Sequence, residues 1–173
     1  SLNPLSNAVA YSVFANGGKK IEPFLISKIM DRSGEVLFEK EITEPEQVID
    51  PRIAFLINDI LKEAAVRGTA KKVSELGRSD FAGKTGTTNE NTDAWFIGFT
   101  SNLVIGVYVG MDNPKPLGKF ETGSKAALPI FREFIEKSVK KSEARPFKVP
   151  EKMTLMVVDP FTGEKAKFDS KNT

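Results

Sequence analysis

Phe81-Ala82-Gly83-Lys84-Thr85-Gly86-Thr87-Thr88 is the stretch on which the reading of this chain turns. As a strand it has a clear chemical use. Lys84 supplies a fixed positive charge, and the hydroxyls of Thr85 and Thr87 can donate to an anionic group. Gly86 lets a ligand backbone approach as though it were adding a strand. Side chains alternate along a regular strand, so Thr85 and Thr87 share one face. That arrangement suits a carboxylate laid against the strand edge. Taken alone, the same residues also read as an ordinary polar strand end with a glycine at a bulge. A phosphate loop fits poorly: the pattern G-x-x-x-x-G-K-[ST] needs glycine where Arg78 stands, and a helix should follow, whereas 88–92 lead into another strand.

Working outward, three strands are expected in close succession, over about 79–87, 93–100 and 103–111. Ala94 to Phe99 and Leu103 to Val109 are near-continuous apolar runs, the mark of strands covered on both faces. Their short connections, with a tight turn at Ser101-Asn102, make them antiparallel. Asn3-Pro4 and Asp50-Pro51 each pair an N-cap with a proline at the first helical position. The first helix carries Leu5, Ala8, Val9, Val13 and Phe14, and stops at Asn16-Gly17-Gly18. The second carries Ile53, Leu56, Ile57, Ile60, Leu61 and Ala64, and ends at Gly68, with a short helical turn possible over 69–76. Between them, 26–30 and 36–38 flank Asp31-Arg32-Ser33-Gly34, a hairpin whose Gly34 can take the left-handed turn position. A third helix is expected over 125–141. Residues 143–151, with Pro146 and Pro150, read as a linker into a second small hairpin, 153–158 and 164–168, around a turn at 159–163. The two hairpins share an Asp, a few residues, then Gly-Glu, which is common turn chemistry and not a repeat.

Composition narrows the chemistry. The chain has 173 residues, 40% hydrophobic and 28% charged, enough for one sizeable core. It has no cysteine and no histidine, which excludes the usual zinc sites, cysteine nucleophiles and Ser-His-Asp triads. Any nucleophilic chemistry must use lysine or a carboxylate as base, and no metal or cofactor is expected. The formal charge is +2 with scattered basic residues, so nucleic acid is not expected as a partner. No stretch approaches the ~20 apolar residues of a membrane helix.

The ordered set of segments resembles the C-terminal part of the transpeptidase domain of class A, bifunctional penicillin-binding proteins. The matching stretches are Asn3-Pro4-Leu5, 10–18, Val66-Arg67-Gly68-Thr69-Ala70, Gly83 to Asn89, Asp93 to Phe99, and Ala127-Leu128-Pro129-Ile130. They span about residues 3–135, and the turn at 158–163 resembles the same family's C-terminal extension. The resemblance implies an α+β fold (an α/β sandwich), the C-terminal part of the penicillin-binding protein/serine β-lactamase-like fold, with an antiparallel sheet flanked by helices. Residues 1–142 would belong to the transpeptidase domain, and 143–173 would be linker and hairpin extension.

It also implies acyl transfer through a serine ester. Lys84 would hold the proton-relay network and its electrostatic field. Thr85 and Thr87 would bind the carboxylate of a peptidoglycan stem peptide or a β-lactam antibiotic, Gly86 would permit their approach, and the Thr87 N–H would be half of an oxyanion hole. Trp95 and Phe96 would be core beneath the strand, and Asp93 would fix the inter-strand loop. The implied setting is periplasmic, on the inner membrane through an N-terminal anchor outside this chain.

Two look-alikes of the family's other motifs are discounted. Ser138-Val139-Lys140-Lys141 spells Ser-x-x-Lys but follows the Lys-Thr-Gly strand, where the family places it well before. Ser1-Leu2-Asn3 spells Ser-x-Asn, but Asn3 stands at the helix cap. The expectation is therefore a fragment that lacks its nucleophile and needs the other half of its domain. The alternatives are a serine β-lactamase-related hydrolase, a non-catalytic assembly module of the same fold and, remotely, a phosphate-binding protein.

Overall fold

In the computed structural model residues 2–68, 76–78, 80–139, 144–159 and 161–165 are described. Asn3 and Asp50 start helices as their side chains dictate. Asn3 Oδ1 accepts the N–H of Ser6 at 2.8 Å, opening α1 (Pro4–Ala15), and Asp50 Oδ1 accepts that of Arg52 at 2.8 Å, opening α2 (Pro51–Val66). Between them lies the hairpin β1 (Lys28–Met30) and β2 (Val36–Glu39). Asp31 makes its turn, accepting the N–H groups of Ser33 at 2.8 Å and Glu35 at 2.9 Å, and Gly34 takes φ +90° as expected. Every residue of both strands is exposed.

The central sheet is β3 (Ala82–Thr87), β4 (Ala94–Phe99) and β5 (Val104–Val109), in the order β3-β4-β5 and antiparallel throughout. Each strand is trimmed by a residue or more from its sequence expectation, and Ser79 and most of the 69–76 turn lie outside the described residues. Helices cover both faces, which accounts for the unbroken apolar runs. On one face Phe96 and Ile105, Val107 and Val109 meet Phe131, Leu128 and Ile135. On the other, Ala82, Phe99 and Val104 meet Tyr11 and Phe14 of α1 and Phe55 and Leu61 of α2. The result is an α+β sandwich: an antiparallel sheet between helices.

The third helix differs from expectation in its entry. The turn from Gly123 to Ala127 is wound as a π-helix and only then passes into α3 (Leu128–Ser138), with Pro129 in its first turn. Helix α2 also uses its apolar residues unexpectedly. Ala54, Asn58 and Ala65 are the buried positions, while Ile53, Leu56 and Ile60 are exposed. Small side chains let the helix lie close, so the larger ones are left facing outward.

Residues 144–150 run against the sheet. Phe147 is buried, its ring edge-on to Phe99 at 5.8 Å, and the Arg145 N–H donates to Asp80 at 3.1 Å. Beyond them the turn of the second hairpin repeats the first. Asp159 accepts the N–H groups of Phe161 and Thr162 at 2.8 and 2.9 Å, and Gly163 has φ +71°. Among the described residues this hairpin has one bridge, Val158 to Lys165; 160 and 166–168 lie outside them.

Candidate functional site: the free edge of strand β3

Strand β3 begins on a buried ion pair. Arg78 Nη2 and Nε reach Asp80 at 2.7 and 3.0 Å, and the guanidinium stands 5.1 Å from the centre of the Phe81 ring. From that anchor the strand runs out to Thr87, paired only with β4 among the described residues. Among the described residues no strand lies on its other edge, which is open in that sense.

The hydrogen-bond phase of this edge follows from one contact. The Thr88 N–H donates to the Asp93 carbonyl at 3.1 Å, and Thr88 opposes Asp93 in the same register that pairs Thr87 with Ala94. N–H directions alternate along an antiparallel strand. Gly86 and Lys84 therefore direct their N–H groups to β4, and Thr87 directs its own to the open edge. This is the orientation an oxyanion donor needs.

The side chains divide about that edge. Thr85 and Thr87 oppose Phe96 and Ala94, on the face covered by α3. Lys84 and Gly86 oppose Ile97 and Trp95, on the face toward α2. Lys84 is exposed, and its Nζ donates to the Thr85 carbonyl at 3.1 Å. Thr87 as a residue is exposed, and its hydroxyl accepts the N–H of Gly123 at 3.0 Å in a partly buried bond. A ligand laid along the edge would thus meet hydroxyls on one side and an ammonium on the other.

Phe96 is core, as expected, but Trp95 is only half buried. It lies under Gly86, its ring 4.7 Å from that of Tyr108 and tilted to it by 49°. Tyr108 donates its hydroxyl hydrogen to Asp93 at 2.8 Å, and that bond, with lesser contributions from burial and from the charges of Asp93 and Asp112, raises its pKa. Asp93 acts here as a fastener, in keeping with its expected role. Its N–H donates to Thr88 Oγ1 at 2.8 Å, closing the loop that follows β3.

Within that loop Glu90 and Asn91 hold φ +65° and +53°. Left-handed backbone costs roughly 1–2 kcal/mol for a non-glycine residue. The Asn91 carbonyl, accepting the Leu117 N–H at 2.9 Å, ties the loop to the segment after β5 and helps to hold it.

The two motif look-alikes do not join this site. Asn3 is a helix cap, and Ser1 lies outside the described residues. Ser138 is the exposed last residue of α3, and Lys141 is not among the described residues. The larger grooves lie between α1 and the base of the first hairpin and beside 147–151, and they are not lined by β3. Sequence reasoning missed Gly123, whose only signal was a glycine just ahead of a proline-started helix, and the Arg78–Asp80 pair.

Comparison with known proteins agrees with this geometry. Residues 1–136 match the family model described as penicillin binding protein transpeptidase domain. Penicillin-binding protein 1A of Neisseria flavescens is 43% identical over 152 residues, covering 86% of this chain and 19% of the relative. The crystal structure of penicillin-binding protein 1A from Haemophilus influenzae superposes with a TM-score of 0.86 at 32% identity, covering 95% of this chain and 30% of that one. The PonA1 protein of Mycobacterium tuberculosis, solved in complex with penicillin V, superposes at 0.71 with 28% identity, covering 86% of this chain and 41% of that one. The chain thus spans about a fifth of the curated relative's length.

Proposed function

The chain belongs to the penicillin-binding protein transpeptidase domain family, and from that premise we propose that it forms the substrate-gripping wall of a peptidoglycan D,D-transpeptidase. The observation that carries the reading is the open edge of β3, which ends in a Thr87 N–H directed outward between hydroxyls and an ammonium. A stem peptide, or the β-lactam that imitates it, adds to this edge as a short strand. Thr85 and Thr87 bind its carboxylate, and Gly86 admits its backbone. Lys84 keeps the field positive and holds the proton-relay groups of the opposite wall.

In the reaction a serine from a Ser-x-x-Lys helix elsewhere in the parent attacks the peptide carbonyl. The carbonyl oxygen gathers negative charge and accepts the Thr87 N–H. Losing one such donor costs about 3 kcal/mol of transition-state stabilisation. The adduct collapses by breaking the peptide C–N bond, and the departing amine takes the proton that the serine gave up to the lysine relay. The acyl group of the serine ester then passes to an amine of a second stem peptide, which makes the cross-link and returns the proton to the serine.

The surface of the chain supports an opposite wall outside it. Its accessible area is 12741 Å², against ~8,400 Å² for a compact protein of this mass. Large apolar side chains are part of that surface: Ile53, Leu56 and Ile60 of α2 are all exposed. We assign that face to the rest of the transpeptidase domain. The parent carries a glycosyltransferase domain and an N-terminal anchor, and works at the periplasmic face of the inner membrane. Residues 1–142 belong to the transpeptidase domain, and 143–173 form its extension.

Labelling with a fluorescent penicillin tests the reading. The full-length parent is expected to form a covalent adduct, and the 173-residue chain alone is not. An adduct on the isolated chain, above all at Ser138, would place the nucleophile inside it and refute the proposal. A parent that binds without acylation would be an assembly module, and one that rapidly turns the penicillin over would be a hydrolase.

A further inference from the structure

We propose that Gly123 is a positioning residue for carboxylate recognition, holding the Thr87 hydroxyl with its hydrogen turned toward the bound substrate. The inference rests on the reading of β3 as the substrate strand. A threonine hydroxyl has one hydrogen to give and two lone pairs to receive. One lone pair of Thr87 is occupied by the Gly123 N–H, which approaches at 3.0 Å from the α3 layer. The hydroxyl hydrogen is thereby directed away from that layer, toward the open edge. Without this bond the hydroxyl is not pre-set, and a carboxylate has to orient it on binding.

Only glycine can stand there. A Cβ on Gly123 would fall 2.5 Å from the Gly86 carbonyl oxygen and 3.1 Å from the Gly86 nitrogen, and inside contact distance of the Trp95 carbonyl oxygen. These are main-chain atoms of the β3–β4 ladder, at a pair whose N–H groups point to one another's strands. They cannot swing aside as a side chain would. Nor can the π-turn retreat, because Ala127, Leu128 and Phe131 directly behind it are completely buried in the core. Any side chain at 123 must therefore lift the turn from β3 and break the bond to Thr87. The start of the turn supports the same contact: the Lys125 and Ala126 N–H groups both donate to the Thr122 carbonyl, at 2.9 and 2.8 Å, which pins the segment that presents the Gly123 amide.

The test uses the full-length parent, comparing acylation by a penicillin with acylation by its methyl ester, which has no carboxylate. The unaltered parent should prefer the acid. Gly123→Ala should lower that preference on the order of tenfold, the effect of losing one hydrogen bond to a charged group, and leave the ester rate nearly unchanged. Thr87→Val should lower the preference by a similar factor whatever it does to the ester rate, Thr87→Ser should retain the preference, and in the double variant Gly123→Ala/Thr87→Val the preference should be no lower than in Thr87→Val alone. If Gly123→Ala slows acid and ester equally, its role is structural and the proposal is overturned. A parent without any acid preference overturns it too, through failure of the β3 reading, and is recognised before any variant is made. Should Gly123→Ala fail to fold, hydrogen exchange at the Gly123 amide decides. Faster exchange in Thr87→Val than in the unaltered parent supports the bond, and equal exchange refutes it.

Discussion

Asparagine at position 80 should loosen the root of the site strand without touching the site. The side chains of Arg78 and Asp80 are 3% and 4% exposed, and they meet through a two-pronged contact at 2.7 and 3.0 Å. Asp80→Asn leaves the guanidinium buried against a neutral amide. Breaking a buried pair from one side costs about 3–5 kcal/mol. The face of Phe81, 5.1 Å from the guanidinium carbon, faces the charge in both forms, so the guanidinium is not left wholly uncompensated. The expected loss is therefore near the bottom of the range, about 3 kcal/mol. A domain of 150–250 residues shifts by ~2–4 °C per kcal/mol, so the transition should fall by roughly 6–12 °C. Arg78→Met should cost as much or more, because Asp80 then keeps only the Arg145 N–H at 3.1 Å as a partner among those seen for its carboxylate. The double replacement Arg78→Met/Asp80→Leu removes both charges and strands the Arg145 N–H, which costs about 1–3 kcal/mol for that group. Scanning calorimetry of the parent, following the transition of this domain, gives all three values. If the double variant loses the sum of the single losses, or Asp80→Asn shifts by less than about 2 °C, the buried pair does not act as described.

Three further expectations are independent of that one. Gly98→Ala would place a Cβ 2.5 Å from Phe131 Cζ and 2.7 Å from Phe96 Cε1; overpacking of this kind costs ~1–3 kcal/mol, measurable as a lower unfolding midpoint. Asn3→Ala removes the cap bond of α1 and should cost ~1 kcal/mol by the same measurement. Asp50 titrates at about 2 instead of 3.8, because the Arg52 side chain and then the Arg52 N–H donate hydrogen bonds to it. A depressed carboxyl stabilises the folded state fully above its unfolded value and loses that effect as pH falls through the folded value. Its contribution should accordingly vanish between about pH 4 and 2, and Arg52→Ala should return the Asp50 midpoint toward 3.8 in a carboxyl NMR titration.

What was legible in the sequence was local. Asn3-Pro4 and Asp50-Pro51 announce helices because cap and first-turn geometry depend on adjacent residues. The three sheet strands follow from two apolar runs and a short turn, and the shared face of Thr85 and Thr87 from simple alternation. What stayed hidden depends on distant partners. Helix α2 offers apolar residues on more than one side, and the pattern alone does not say that Ala54 and Ala65 are buried while Leu56 is not. The Gly123 contact joins residues 36 apart, and the bond from Arg145 to Asp80 spans 65. Nothing in the flanking sequence of either signals the meeting. The edge direction of the Thr87 N–H needed the phase of the β3–β4 ladder, which a one-residue slip would reverse.

Trp95 is the single tryptophan of the chain, and it lies directly beneath Gly86, with its ring against Tyr108. Indole emission responds to the polarity and rigidity of its immediate surroundings. A ligand that settles on the β3 edge changes both, one backbone thickness away from the ring. If β3 is the substrate strand proposed above, the chain carries an intrinsic optical gauge of its occupancy, able to follow the arrival of an unlabelled peptide in real time once other tryptophans of the parent are replaced.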